Sequence, residues 1–295
     1  MNLQDSCPVC RNADYKMIFS VKDYTVSLSM FDLVECTQCS HRFTREIPSL
    51  DEIGTYYKSD QYISHTDSNQ GLLNKVYQFV RNISLVSKRE LIEQTTRQKK
   101  GELLDYGCGT GAFLNEMKNA GWHIAGIEPD AGAMDKAIQL TGGNIQSPEF
   151  LTSLEAERFD AITLWHVLEH VHTLHETIDK LKSLLKPGGT LIIAVPNYTS
   201  YDARYYKNYW AAYDVPRHLY HFSPMSMQKL ISSHGMTVEK ILPMWFDSFY
   251  VSLLSEKYRK NILGPLYACL IGLVSNINAI FNKQQCSSQI YVIKK

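Results

Sequence analysis

Leu103-Leu104-Asp105-Tyr106-Gly107-Cys108-Gly109-Thr110-Gly111-Ala112-Phe113-Leu114 decides how the rest of the chain is read. An apolar run ends, three glycines alternate with other residues, and a helical pattern begins. Glycine suits a sharp turn where a ligand approaches the backbone with no Cβ in the way, and the helix after it presents unsatisfied N–H groups. Gly107-x-Gly109-x-x-Ala112 also satisfies the dinucleotide pattern, so the loop alone leaves the nucleotide open. Outward from it, apolar runs at 102–106, 123–127, 160–164 and 190–195 alternate with helical patterns, as repeated βαβ units on a parallel sheet do. An amphipathic helix over 174–185 stops at Lys186-Pro187-Gly188-Gly189. Residues 289–293 read as a strand returning to the sheet.

Two acidic residues narrow the ligand. Asp105 stands two residues before the first glycine, where its carboxylate would crowd a pyrophosphate but suit a cofactor with a cationic amino-acid end, such as S-adenosylmethionine. Glu128, in Gly126-Ile127-Glu128-Pro129-Asp130, follows Gly111 by 17 residues. It ends the next strand, where it can accept hydrogen bonds from both ribose hydroxyls of an adenosine.

Asp-Tyr-Gly-Cys-Gly-Thr-Gly, Gly-Ile-Glu-Pro, the run Phe159-Asp160-Ala161-Ile162-Thr163-Leu164-Trp165-His166-Val167-Leu168-Glu169-His170-Val171 and Leu185-Lys186-Pro187-Gly188-Gly189 together resemble the motif series of class I S-adenosylmethionine-dependent methyltransferases over about residues 70–248. The resemblance implies an α/β fold: a Rossmann-like seven-stranded sheet whose last strand pair is antiparallel. It implies that Asp105, Tyr106, Gly107, Cys108, Gly109 and Gly111 hold the methionine part of the cofactor, with Glu128 and Pro129 at the ribose. By the same carry-over Gln146 and Ser147 lie near the adenine, and Trp165 and His166 line the cofactor at the fourth strand end. A nicotinamide-dependent oxidoreductase is disfavoured by Asp105 and the downstream motifs. A non-catalytic adenosyl-binding or zinc-scaffold protein stays as the alternative.

Cys7-Pro8-Val9-Cys10 and Cys36-Thr37-Gln38-Cys39 form two Cys-x2-Cys knuckles separated by 25 residues, the pattern of a zinc ribbon. Four protein ligands leave no open position, so the metal, Zn2+, is expected to be structural; His41 is an alternative ligand that the complete set of four cysteines argues against. Residues 1–50 carry five Lys/Arg against six acidic residues, which argues against nucleic acid. The whole chain of 295 residues is balanced, with 30 Lys+Arg and 30 Asp+Glu. It opens on MNLQDSCPVC, without a basic segment followed by an apolar one, so a cytoplasmic protein with thiols rather than disulfides is expected.

Methyl transfer to an O–H or C–H acceptor needs a base near the carboxyl edge of the sheet. The stretch Asp214-Val215-Pro216-Arg217-His218-Leu219-Tyr220-His221-Phe222-Ser223-Pro224 is dense in histidine and tyrosine. His218-Leu219 with Phe222-Ser223 resembles the His-Leu-x-x-Phe-Ser stretch of sugar C-methyltransferases, which lines their active site. His218 is therefore the first candidate base, His221 the second and His166 the third. Ser223 also reads as a helix cap, and Glu169 and His170 read as structural, opening the next helix. Tyr62 and His65 are candidates for a lid. The expected acceptor is a small molecule, either a sugar or a lipid-linked precursor.

The chain thus divides into a zinc ribbon over 1–50, a lid segment and linking helix over 51–98, and the cofactor-binding core over 99–248. A helical insertion over 249–282 and a final core strand over 283–295 complete it. No charged residue occurs from Asn261 to Asn282. Gly264, Pro265 and Gly272 break its apolar part, so a buried helix or a homodimer face is expected there ahead of membrane-surface contact.

Overall fold

The computed structural model describes residues 6–57 and 72–295, with side chains of the helix opening the second span described from Val80 onward. Tyr62 and His65 lie outside the described residues, as do the side chains of Leu72, Leu73, Val76 and Phe79.

An N-terminal module comes first: β1 (Tyr15–Lys22), β2 (Met30–Cys36) and β3 (Arg42–Thr44), all antiparallel, then the short helix α1 (Leu50–Ile53). The expected long helix is α2 (Leu72–Thr96). The core then runs β4 (Glu102–Tyr106), α3 (Ala112–Asn119), β5 (His123–Ile127), α4 (Ala131–Thr141), β6 (Asn144–Gln146), β7 (Phe159–Trp165), α5 (Leu174–Leu184) and β8 (Leu185–Pro196). After it come α6 (Tyr201–Tyr206), β9 (Tyr220–His221), α7 (Pro224–Ser233), β10 (Thr237–Pro243), α8 (Asp247–Tyr258), α9 (Gly264–Phe281) and β11 (Ser288–Lys294).

Seven strands form the central sheet in the order β10-β11-β8-β7-β4-β5-β6. The five from β8 to β6 are parallel, and β11 runs antiparallel to both of its neighbours. This is the expected α/β architecture. Leu103, Leu104, Ala161, Ile162, Leu164 and Ile193 are all fully buried, as strands covered on both faces require. One boundary differs. α5 ends at Leu184, and Lys186-Pro187-Gly188-Gly189 opens β8 instead of forming a loop, with a register irregularity against β7 between Phe159 and Ala161.

Two features depart from the sequence expectation. The N-terminal sheet has a fourth strand, since β3 pairs with β9, Arg42 opposite His221 and Phe43 opposite Tyr220. The histidine-rich loop of the core thus belongs to the sheet of the N-terminal module. The uncharged C-terminal helix is also not a buried one: only 33% of α9 is buried, and Leu266, Leu270 and Ile280 are more than half exposed.

α9 and β11 are tied to the core through Asp202 at the start of α6. Its buried carboxylate accepts hydrogen bonds from Trp210 Nε1, Ser275 Oγ of α9 and Ser287 Oγ beside β11, each at 2.7 Å. Asp202→Ala leaves three buried donors without an acceptor and should lower unfolding free energy by about 3 kcal/mol or more. Urea titration followed by circular dichroism checks this; a loss below roughly 1 kcal/mol would show that the network relaxes.

Candidate active site

The glycine loop lies at the carboxyl ends of β4 and β5, next to β7, where the strand order changes direction. Gly107 (φ +78°) donates to Ile127 O at 2.7 Å, and a Cβ there would meet Val167 Cγ2 at 2.4 Å, so any side chain is barred. Gly109 (φ +55°) differs, because its missing Cβ opens onto empty space. Glu128 holds the loop: Oε2 accepts from the Gly109 N–H at 2.7 Å and Oε1 from the Asp130 N–H at 3.0 Å. Burial raises its carboxyl above the usual range. Gly111 begins α3 and packs on Ala137, while the Cys108 thiol is buried behind the loop, with Tyr106 half-buried before it.

Asp105 is buried and accepts from Thr163 Oγ1 at 2.6 Å; burial pushes its carboxyl up to about 7 against the opposing pull of Thr163 and Lys88. Lys88 of α2 lays its ammonium 4.3 Å from the centre of the Trp165 ring, within electrostatic reach of Asp105 and Asp247. The indole Nε1 of Trp165 is buried with no hydrogen-bond partner among the described residues. Pro129 is exposed just past Glu128, and Gln146 and Ser147 lie at the end of β6, where Gln146 O accepts the Glu128 N–H. The twelve expected cofactor residues therefore share one edge of the sheet.

His166 follows β7 with φ +57°. Its Nε2 stands 3.0 Å from Asp247 Oδ2 at the start of α8, and its Nδ1 3.4 Å from Glu169 Oε1. Burial opposes its charge, but Asp247 and Glu169 prevail and push it up to about 10. At neutral pH it is a cation without a lone pair, so the expectation that His166 could act as a base does not suit its surroundings.

His218 is 8% exposed, with Nδ1 at 2.9 Å from Ala212 O and Nε2 directed toward Asp214 Oδ2 at 4.0 Å. Its ring meets His170 edge-on, with centres 4.5 Å apart. His170 Nδ1 lies 3.0 Å from the Tyr57 hydroxyl and 3.1 Å from Arg217 O, and burial together with His218 holds His170 down to about 4. Glu169 is fully buried between them. Neither of its oxygens makes a well-directed hydrogen bond among the described residues, and although burial opposes its charge, His166, His218 and His170 hold its carboxyl low. Ligand atoms of Glu169, His170 and His218 all lie within 4.8 Å of one another.

His221 is placed differently. Thr44 Oγ1 donates to His218 O at 2.8 Å and so accepts from His221 Nε2 at 3.0 Å. Burial drives the His221 imidazole well below its ordinary range, which leaves it a neutral ring whose Nε2–H donates to Thr44 within the sheet. Arg217 is clamped by Asp214 at 2.6 and 2.9 Å and by Asp23 of the N-terminal module at 3.3 Å. Backbone amides of the β1–β2 turn and Arg217 bring Asp23 down to about 2 against its burial. Ser223 caps α7 in a capping box with Ser226, as expected.

Cys7, Cys10, Cys36 and Cys39 converge, with Sγ–Sγ separations of 3.4 Å (Cys7 to Cys39) and 3.5 Å (Cys10 to Cys36) and all four sulfurs within 4.8 Å. A tetrahedral site with metal–sulfur bonds of about 2.3 Å has sulfurs about 3.8 Å apart, so the four donors fit one ion. His41 is not among them; it is buried against Phe43 and Phe222 with both ring nitrogens unpartnered among the described residues, and burial lowers it to about 3. His175 joins the knuckle to the core. Its Nε2 meets Pro8 O at 2.8 Å, and its Nδ1 meets His234, whose other nitrogen is 2.6 Å from Asp179.

Glu169, His170, Asp214, Arg217, Asp23, Asp247 and Lys88 are site residues that sequence reasoning missed or read as structural. Only Glu169-His170 carried a local signal: two ionisable groups in an otherwise apolar run after a strand end.

The methyltransferase-domain family matches residues 77–241, more than half of the chain, and the chain belongs to it. It is 29% identical over 167 residues to the mitochondrial ubiquinone biosynthesis O-methyltransferase of Rattus norvegicus, covering 50% of this chain and 48% of that one. Over 110 residues it is 36% identical to the ubiquinone biosynthesis O-methyltransferase of Glaesserella parasuis serovar 5, covering 34% and 47%. The chain spans about half the length of these curated relatives. Phosphoethanolamine N-methyltransferase 2 of Haemonchus contortus, solved with S-adenosyl-L-methionine, shares the fold at a TM-score of 0.54 and 14% identity, over 86% of this chain and 61% of that one.

The raised pKa of His166 makes stability depend on pH. The contribution is complete below about 6.5 and is lost as pH rises toward about 10. Unfolding free energies of wild type should fall across that window, and those of His166→Asn should fall less; equal slopes would show that the pair with Asp247 is not formed in solution.

Proposed function

We propose that this chain transfers a methyl group from S-adenosylmethionine to an oxygen or carbon of a small hydroxylated acceptor, a sugar or a lipid-linked precursor, with His218 as general base. The observation that carries the reading is the buried Glu169–His170–His218 cluster, whose first two members follow Val167, the residue packed against Gly107 of the glycine loop. Support also comes from the family and from its named relatives, which act as O-methyltransferases in ubiquinone biosynthesis.

When bound, S-adenosylmethionine supplies an electrophilic methyl group on a sulfonium. The open side of Gly109, the carboxylates of Asp105 and Glu128 and the indole N–H of Trp165, without a partner among the described residues, fit such a ligand. Asp105, Tyr106, Gly107, Cys108, Gly109 and Gly111 would hold its amino-acid end, Glu128 and Pro129 its ribose, and Gln146 and Ser147 would flank the adenine. Trp165 and the cationic His166 would border the reacting end. His218 donates its Nδ1 proton to Ala212 O, which fixes the tautomer and leaves the Nε2 lone pair to take the acceptor's proton. The imidazolium so formed is stabilised by Asp214 and by the buried Glu169 carboxylate. His221 and Thr44 position the loop. A second reading uses the same three donors as ligands of a divalent cation that polarises the acceptor hydroxyl.

His218→Asn should keep S-adenosylhomocysteine binding by calorimetry and lose turnover about 100-fold or more against hydroxylated acceptors screened by mass spectrometry. Gly109→Arg should lose binding itself. Unchanged turnover in His218→Asn removes the base, inactivation by a chelator favours the cation, and tight binding without turnover on any acceptor favours a non-catalytic binder.

We further propose that the four cysteines hold one structural zinc. Elemental analysis should find about one zinc per chain in wild type and much less in Cys36→Ser. Because Thr44 and Asp23 reach the site from this module, the variant should also lose activity; full activity without zinc would refute the structural role.

A further inference from the structure

The α8–α9 hairpin packs the opposite way from a helix of an ordinary soluble core. Its helices meet through small residues: Ser248 Oγ donates to Gly272 O at 3.2 Å, and a Cβ on Gly272 would stand 2.7 Å from the Phe249 ring. Ala268, Ser275 and Ala279 are likewise buried, and Ile271 is the one large apolar residue of α9 that packs inward with them. The other large residues point outward: Leu266, Leu270, Leu273, Ile277 and Ile280 are 42% to 68% exposed, at steps of four and three that make one stripe. Small residues inward and large apolar residues outward is how helices pack in lipid, where the surroundings are as apolar as the side chains.

The charges around this stripe have one sign. Between Met244 and Ser287 the only acidic residues, Asp247 and Glu256, turn inward, one to His166 and the other, fully buried, to Asn261. The exposed charges are Lys257 and Lys260 before α9 and Lys283 after it, while Arg259, exposed as well, pairs with Glu256 at 3.7 Å. Two copies of this face would bring basic ends together in either orientation, whereas an anionic surface complements both ends at once. Trp245, Phe246, Tyr250 and Tyr267, all exposed, add rings of the kind that settle at a membrane–water boundary. A helix of 18 residues is about 27 Å long, but Ser275 and Asp202 fasten it to the core, so it lies along a surface and does not cross one.

We propose that the exposed face of α9, with the aromatic start of α8 and its basic ends, docks the chain onto an anionic lipid surface. Because α8 begins at Asp247, the partner of His166, the docked face lies one residue contact from the site. The docking does not depend on the proposed reaction.

Flotation of the full chain with vesicles tests it. Binding to phosphatidylcholine vesicles containing phosphatidylglycerol should exceed binding to phosphatidylcholine alone roughly tenfold and fall with salt. Leu266→Asn with Leu270→Asn and Leu273→Asn should abolish it, and Lys257→Glu with Lys260→Glu and Lys283→Glu should remove the preference for anionic lipid. Both variants should keep the wild-type melting shift with S-adenosylhomocysteine, which shows that the core is folded. No flotation of wild type would overturn the proposal. So would a lipid-free dimer in sedimentation velocity that the leucine variant dissolves, since the occupant would then be a second copy.

Discussion

Two backbone pairs, Arg42 with His221 and Phe43 with Tyr220, join β3 to β9 and make the histidine loop an edge strand of the N-terminal sheet. The loop between Asn208 and Ser223 has little regular structure of its own, and short unpaired segments do not hold side chains to within the tolerance that proton transfer demands. The pairing, the Thr44 hydroxyl shared between His218 and His221, and the reach of Asp23 to Arg217 place that loop from outside. The four-cysteine module and the methyltransferase core therefore share one set of contacts, and the cysteines fold the strands from which Thr44 and Asp23 reach the histidine loop.

Much of this architecture is legible in the sequence because its signals are local. Glycine spacing, the acidic residues at two strand ends and apolar runs bounded by turns locate β4, β5, β7 and β8, and matched Cys-x2-Cys knuckles locate the thiol cluster. Contacts between distant segments have no such signal. Nothing around Asp247 indicates that it meets His166 across 81 positions, and a two-residue strand such as β9 has no periodicity to detect. Glu169-His170 is visible but reads as a helix opening, because polar residues after a strand commonly cap the next helix; here α5 starts only at Leu174, and the pair turns inward. The uncharged tail misleads for another reason. Apolar composition predicts burial on average, but it does not say which face is covered, and on α9 the covered face holds mostly small residues with Ile271 among them.

Electrostatics at the site separate the histidines by function. Two carboxylates keep His166 charged, burial keeps His221 and His170 neutral, and a carbonyl orients His218. One residue type thus stands in three states: a cation at His166, neutral rings at His221 and His170, and an imidazole of fixed tautomer at His218.

The position of β11 governs the order in which the sheet can be completed during synthesis. This strand lies between β8 and β10 in the sheet but comes after both in sequence. The five parallel strands can assemble as they emerge, whereas β10 has no strand to pair with until β11 arrives. The apolar α8–α9 hairpin is produced within that interval, and the edge of β8 stays open for the same time. β11 closes the sheet, and until it is made the nascent chain carries an unpaired edge beside its most apolar helix.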